Sequence, residues 1–327
     1  MKKLTLFLIF IVVMACSKDN TNVEQIAEEN EWLVNKDDIS GSFAMYPLGD
    51  NPEYTTVANT NLLDNERVGV MSFGDEVRVY PYPHTFATEI INDTYQSQKY
   101  AFTYCPLTKS AIAYTRTKTL RASGYLYKNN MVPWDEETET LWSQMLIRGI
   151  KGKRINQRLN TLAVVETKWE TVKNYFPDAK VLKTIVPSNG RISTTSKASK
   201  NSLRNTNLPD DREFVYGVLD EDDNVNIFQY QDFANQSRYD ITLRQHNYIV
   251  YGNETLKVIS AFEVDDFNTY QILDESEFPY VLQDLNGVKY NVLGLGTNGN
   301  TLGKPKYAYV AAWWAFEDFF TDFTFQQ

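Results

Sequence analysis

The sequence predicts a mainly β fold, an α+β arrangement with few short helices. Three observations point there. Aromatic residues, which fit a pleated half-buried surface, are abundant, with 21 Tyr, 18 Phe and 6 Trp. Short apolar runs such as Val68 to Phe73 and Val77 to Tyr80 flank the turn signal Gly74-Asp75. The same pattern also recurs. Val68-Gly69-Val70, Val77-Arg78-Val79-Tyr80 and Phe86 are echoed by Tyr216-Gly217-Val218, Val225-Asn226-Ile227-Phe228 and Phe233, at offsets of 148, 148 and 147 residues. Tyr100 to Tyr104 is echoed by Asn247 to Tyr251 at 147. A two-copy repeat of strand, turn, strand, helix, strand predicts two related β-rich lobes with a cleft between them.

In chain order, Met1-Lys2-Lys3 is a positive start, and Leu4 to Val13 is apolar apart from Thr5. Val13-Met14-Ala15-Cys16 follows, with a branched residue at −3 and a small one at −1. Residues 1–16 therefore read as a lipoprotein signal peptide with Cys16 as the lipidated residue. The apolar run falls short of the roughly 20 residues a spanning helix needs. Several acyl chains on Cys16 would hold the protein to a membrane, at roughly 0.8 kcal/mol per buried methylene. Ser17 after the cysteine favours the outer membrane of a Gram-negative cell envelope.

Residues 17–34 are polar and acidic and read as a flexible tether. A first β-rich half occupies 35–184. It is expected to hold a short helix over His84 to Asn92, strands at Tyr100 to Tyr104 and Ala111 to Thr115, and an amphipathic helix from Trp169 to Phe176 stopped by Pro177. Residues 185–211, rich in Ser, Thr, Asn and Lys, read as a polar linker or loop. A second β-rich half fills 212–327. It ends in Tyr307 to Phe320, where Ala311, Ala312, Trp313, Trp314, Phe316, Phe319 and Phe320 predict an apolar helix that must be buried.

Removing the two signal lysines takes the formal charge from −10 to −12. So acidic a body excludes nucleic acid and anionic head groups as partners. No later stretch approaches the apolar length of a membrane span, so the lipid anchor is the expected membrane contact. With Cys16 consumed by lipid, Cys105 has no disulfide partner within the chain. No P-loop, dinucleotide fingerprint or Gly-x-Ser-x-Gly elbow is present.

The densest motifs lie between residues 80 and 144. They are Tyr80-Pro81, Glu89-Ile90-Ile91-Asn92-Asp93, Tyr104-Cys105-Pro106-Leu107-Thr108, Gly124-Tyr125-Leu126-Tyr127, and Asp135 and Thr138 ahead of Leu141-Trp142-Ser143-Gln144. In this order they resemble the uncharacterised bacterial family known as domain of unknown function 3179, over about residues 65–320. The resemblance implies no settled activity. It singles out Cys105, Asp93, Asp135 and Ser143 as candidate catalytic residues and Asn92, Tyr127, Trp142 and Gln144 as candidate binding residues.

Many relatives carry His where this chain has Thr88, and some a second Cys where it has Thr108. A site built on one His and two Cys would lose most of its ligands here, so no metal site is assigned and a metal cofactor is not expected. His84 and His246 read as surface or hydrogen-bonded histidines. Cys105 before Pro106 ends a strand, and the turn could present the thiol at a sheet rim. A free cysteine is otherwise a small buried hydrophobe. Asp135, Glu136, Glu137 and Glu139 read as a solvated turn with Asp135 and Thr138 as its cap.

Two functions are consistent with these residues. One is an envelope binding module holding a small ligand, a glycan or an envelope protein in an aromatic-lined cleft. The other is a thiol- or metal-dependent enzyme or redox protein centred on Cys105. Their discriminator is whether Cys105 is exposed beside Trp142 and Asp93 or buried in apolar packing.

Overall fold

The computed structural model describes residues 31–185, 209–210 and 212–326. The signal peptide, Cys16, the tether up to residue 30 and nearly all of 185–211 lie outside the described residues. The fold is mainly β, with its strands in several sheets. Among the described residues no helix is long and apolar enough to cross a membrane.

Four sheets make the body. Sheet I orders Val165–Lys168, Arg67–Phe73, Glu76–Pro81, Lys180–Leu182 and Tyr54–Thr56. Sheet II orders Thr161–Leu162, Ser110–Thr115, Gln98–Cys105, Ile90–Tyr95 and Gly49–Asp50. Sheet III orders Tyr307–Ala312, Phe214–Leu219, Val225–Gln229 and Phe323–Phe325. Sheet IV orders Arg238–Leu243, His246–Asn253 and Val258–Val264. Two more flank them. Sheet V runs Ile39–Gly41, Leu120–Tyr127, Asn130–Asp135, Thr140–Ser143 and Arg148–Lys151, and sheet VI runs Tyr270–Ile272, Tyr280–Asp284 and Lys289–Asn291.

The strands of sheets I to IV are apolar on both faces, and their packing shows why. Successive side chains of a strand point to opposite sides. Val68, Val70 and Val79 of sheet I enter a core with Ile249, Tyr251 and Phe262 of sheet IV. Met71, Phe73 and Tyr80 point the other way, onto Tyr100, Phe102 and Tyr104 of sheet II. The opposite face of sheet II, with Ala101, Cys105, Ile112 and Tyr114, meets Val215, Ile227 and Tyr309 of sheet III. Tyr216, Val218 and Phe228 then meet Tyr248, Val250 and Ala261 of sheet IV. The four cores close a circuit in which each of these sheets is buried on two sides. Two glycines mark its tightest contacts: a Cβ on Gly217 would lie 2.5 Å from the Phe316 ring, and one on Gly252 2.3 Å from the Phe233 ring.

The pairing order recurs along the chain. Val165–Lys168 runs antiparallel to Arg67–Phe73, which is antiparallel to Glu76–Pro81, and Lys180–Leu182 adds in parallel. Tyr307–Ala312, Phe214–Leu219, Val225–Gln229 and Phe323–Phe325 repeat those relations. A short helix precedes the parallel strand each time, Trp169–Tyr175 and Trp313–Phe319.

The hairpin at Gly74-Asp75 forms with Phe73 paired to Glu76 and Gly74 at φ +57°. Two expected helices are corrected. The helix over His84 to Asn92 is confined to Tyr82–Thr85, and Ile90–Tyr95 is a strand, because Ile90 and Ile91 fill cores on opposite sides of sheet II. The C-terminal helix starts only at Trp313, since Tyr307–Ala312 is the edge strand of sheet III.

Candidate functional site

Cys105 ends the strand Gln98–Cys105 and is 1% exposed, inside the core that sheet II shares with sheet III. Burial pushes its thiol up, and Glu89 adds to this against a hydrogen bond with Thr108. Around it the motif residues satisfy one another. Gln144 Nε2 donates to Thr103 Oγ1 at 2.8 Å, while Gln144 Oε1 accepts from Ser110 Oγ and Asn130 Nδ2, both at 2.7 Å. Asn130 also donates to Thr108 Oγ1 at 2.9 Å. Tyr114 donates to the Gln144 carbonyl at 2.9 Å, and Ser143 Oγ accepts from the Leu146 amide at 3.2 Å. Thr103, Thr108, Ser110, Asn130, Ser143 and Gln144 are all buried. A network closed on itself in this way welds strands together and specifies the core.

The other candidates lie elsewhere. Asp93 faces away from Cys105, toward sheet I. Its Oδ2 accepts from Tyr100 at 2.6 Å, Arg78 Nη1 at 2.8 Å and Tyr80 at 3.0 Å, and also from Tyr54. Burial would raise this carboxyl, yet the bonds from Tyr100, Tyr54 and the Thr94 amide, with Arg78, hold it below the usual range. Asn92 clamps sheet II to sheet V, bonding the Leu120 carbonyl at 2.8 Å and amide at 2.9 Å and the Gly49 carbonyl at 3.1 Å. Asp135 is buried and caps its own turn, accepting from the Thr138 amide at 2.7 Å and Trp142 Nε1 at 3.2 Å. Tyr127 packs edge-on against Phe319, 5.1 Å between ring centroids, and the Arg154 guanidinium covers the Trp142 ring at 4.9 Å. Among the described residues no hydrogen bond joins Cys105, Asp93, Asp135 or Ser143 to another of the four, and Asp93 lies on the opposite side of sheet II from Cys105.

One feature at the ends of these strands is not closed. The Tyr104 amide bonds the Glu89 carbonyl at 2.9 Å, just beyond the end of the ladder, and Cys105 hydrogen-bonds Thr108. Thr88 Oγ1 is buried without a hydrogen-bond partner. Glu89 beside it sits at φ +58°, and burial raises its carboxyl to about 7. Among the described residues no three His, Cys, Asp or Glu side chains group as metal ligands.

Sheet V turns its far face outward, and there the structure builds an aromatic cleft. Trp32, Phe43, Tyr125 and Trp134 line about 390 Å³, with Thr138, Glu139, Lys151 and Lys153 among the polar lining groups. Phe43 stands edge-on to Trp134 at 5.0 Å, and Trp32 edge-on to Tyr125 at 6.0 Å. Phe43 is 46% exposed. The Leu33 amide bonds the Ile150 carbonyl at 2.8 Å, so the segment expected to be tether already packs on the fold at Trp32. Sequence reasoning missed this cleft. Trp32 and Phe43 lie 82 or more residues before their ring partners at Tyr125 and Trp134, so no local pattern joins them.

A larger cavity of about 950 Å³ opens where the turn after Phe214–Leu219 meets the hairpin at Arg244-Gln245. Its charges are mostly paired internally: Arg244 with Asp220 and Asp222, Lys306 with Glu221 at 2.9 Å, and His246 with Glu263 at 2.5 Å.

Fold and clefts define a mainly β protein whose motif residues are mostly interior, with Tyr125, Thr138 and Leu141 reaching the aromatic cleft. Residues 45–323 match the family described as "Protein of unknown function (DUF3179)", and the chain belongs to that family. No curated protein matches the chain, and no solved structure does.

Proposed function

We propose that this protein is a binding module of a Gram-negative cell envelope. It is anchored through lipid on Cys16 and holds a saccharide-like ligand in the aromatic cleft of sheet V. The observation that carries this reading is the cleft itself, four aromatic rings around about 390 Å³ with hydroxyl, carboxylate and ammonium groups in its lining. Ring faces pack the C–H faces of a sugar, and polar groups take its hydroxyls. The space is large enough for at least one hexose unit of a longer chain. The recurring pairing order supports reading the chain as a duplicated unit, with sheet V an addition specific to the first copy.

The alternative, an enzyme or redox protein centred on Cys105, loses support from the thiol's burial and from the closed network of Gln144. A nucleophilic thiolate needs access and a nearby cation, and burial and Glu89 instead raise this thiol.

The test is a glycan array probed with the purified full chain, followed by titration of its tryptophan fluorescence with the best binder. Binding that Trp134→Ala weakens at least tenfold is expected. Binding equally strong in that variant, or no binding across the array, refutes the saccharide reading. Intact mass under native and then denaturing conditions shows directly whether a ligand is retained.

A further inference from the structure

Lys304 is a part-buried cation that the arrangement above leaves unexplained. Its Nζ donates to Ser260 Oγ at 2.6 Å and to the Val292 carbonyl at 3.1 Å, and lies 3.6 Å from the centre of the Phe262 ring. Among the described residues it has no carboxylate partner, while Arg244, His246 and Lys306 in the neighbouring cavity are all paired. Two oxygens and a ring face hold an ammonium in place, but none of them carries a formal charge to balance it. Desolvation accordingly pushes the amine well below the ordinary lysine range.

Lys304 also lines a second, smaller cavity of about 280 Å³. Its walls are mainly apolar, formed by Met71, Phe73, Leu162, Val165 and Leu293, with Gln98 among the few polar groups. A mainly apolar pocket with a single amine donor that lacks a countercharge is the pattern of a site for an amphipathic monoanion. The apolar walls take a hydrocarbon body, and the ammonium takes a carboxylate that supplies the missing countercharge. At about 280 Å³ the cavity has room for a short hydrocarbon chain with a carboxylate head.

We propose that this cavity is a second ligand site, which binds a small monocarboxylate with a hydrocarbon body and pairs its carboxylate with Lys304. It is separate from the aromatic cleft, and neither proposal depends on the other.

Titration calorimetry of the full chain with hexanoate, and with hexan-1-ol as the neutral control, tests this. Hexanoate is expected to bind at least tenfold more tightly than the alcohol. Lys304→Met should abolish that preference and leave weak binding of the alcohol, and Lys304→Arg should keep part of it. Because Lys304→Met removes bonds to Ser260 and Val292 and can fail to fold, the wild-type chain carries its own readout. In methyl-detected NMR, hexanoate should shift the Met71 methyl, which lines the cavity, and saturate with the calorimetric constant. Equal affinity for hexanoate and hexan-1-ol, absence of hexanoate binding, or a Met71 methyl unmoved at saturation each overturns the proposal. Trp134→Ala should leave hexanoate binding unchanged, which separates failure of this site from failure of the cleft.

Discussion

Replacing Asp93 by Ala removes the acceptor at the centre of the contact between sheets I and II. The carboxylate is 7% exposed, and the Arg78 side chain paired with it is 9% exposed. Removing one partner of a buried ion pair costs about 3–5 kcal/mol, because the other charge stays buried. Three tyrosine hydroxyls lose the same acceptor, but they can re-pair: Tyr80 and Tyr100 already lie 2.7 Å apart, and Tyr54 and Tyr80 2.9 Å. Arg78 also keeps Glu76 at 2.6 Å. The expected loss is therefore at the lower end, about 3 kcal/mol. Urea denaturation followed by tryptophan fluorescence reads it. With a slope of about 3 kcal/mol/M, the midpoint should fall by about 1 M at unchanged slope. The added change Arg78→Met should recover part of the loss, since it removes the orphaned charge. The sign with pH follows from the depressed carboxyl. Its contribution is present above the unfolded value of about 3.9 and is lost as pH falls through the lower folded value. The gap between wild type and variant should thus hold at pH 7 and shrink below about pH 4. A midpoint shift under about 0.3 M at pH 7, or a gap that widens in acid, would refute the reasoning.

Two further outcomes are expected. The Cys105 thiol should resist Ellman's reagent in the native chain and react fully in denaturant; stoichiometric reaction of the native protein within minutes would show an open site and revive thiol chemistry. Glu89, raised to about 7 by burial, binds a proton more readily folded than unfolded. Its contribution is full below the unfolded value of about 4.3 and is lost as pH rises toward 7. Glu89→Gln should therefore match wild type at pH 4 and exceed it at pH 8 by about 1–2 kcal/mol, after discounting for the solvent that reaches this half-buried group. Equal stability at both pH values would place the carboxyl in water.

Local features were the legible ones. Gly74-Asp75 marks a hairpin because a two-residue turn needs a residue tolerant of positive φ. Asp135 and Thr138 mark a capped turn for an equally local reason. The strands at Tyr100 to Tyr104 and Ala111 to Thr115 follow from composition. The helix assigned to Ile90 and Ile91 failed because two adjacent apolar residues satisfy a helix face and a doubly buried strand equally well. Phe102, in an unbroken apolar run, shows the same ambiguity, and only burial on both sides resolves it.

By itself the sequence determined the mainly β class and membership of a family recognised by ordered motifs. Only the tertiary structure decided where those motifs point. Asp93 and Asn92 are chain neighbours, but the alternation of a strand sends one to a tyrosine cage and the other to a clamp on sheet V. Cys105 could have been at a rim; the closed circuit of sheets makes it interior. Trp32 looked like tether until the Tyr125 ring met it, and the placing of Lys304 Nζ over the Phe262 ring has no signal in the local sequence. Contacts of that range depend on how sheets close on one another, and no periodicity within a single strand encodes that closure.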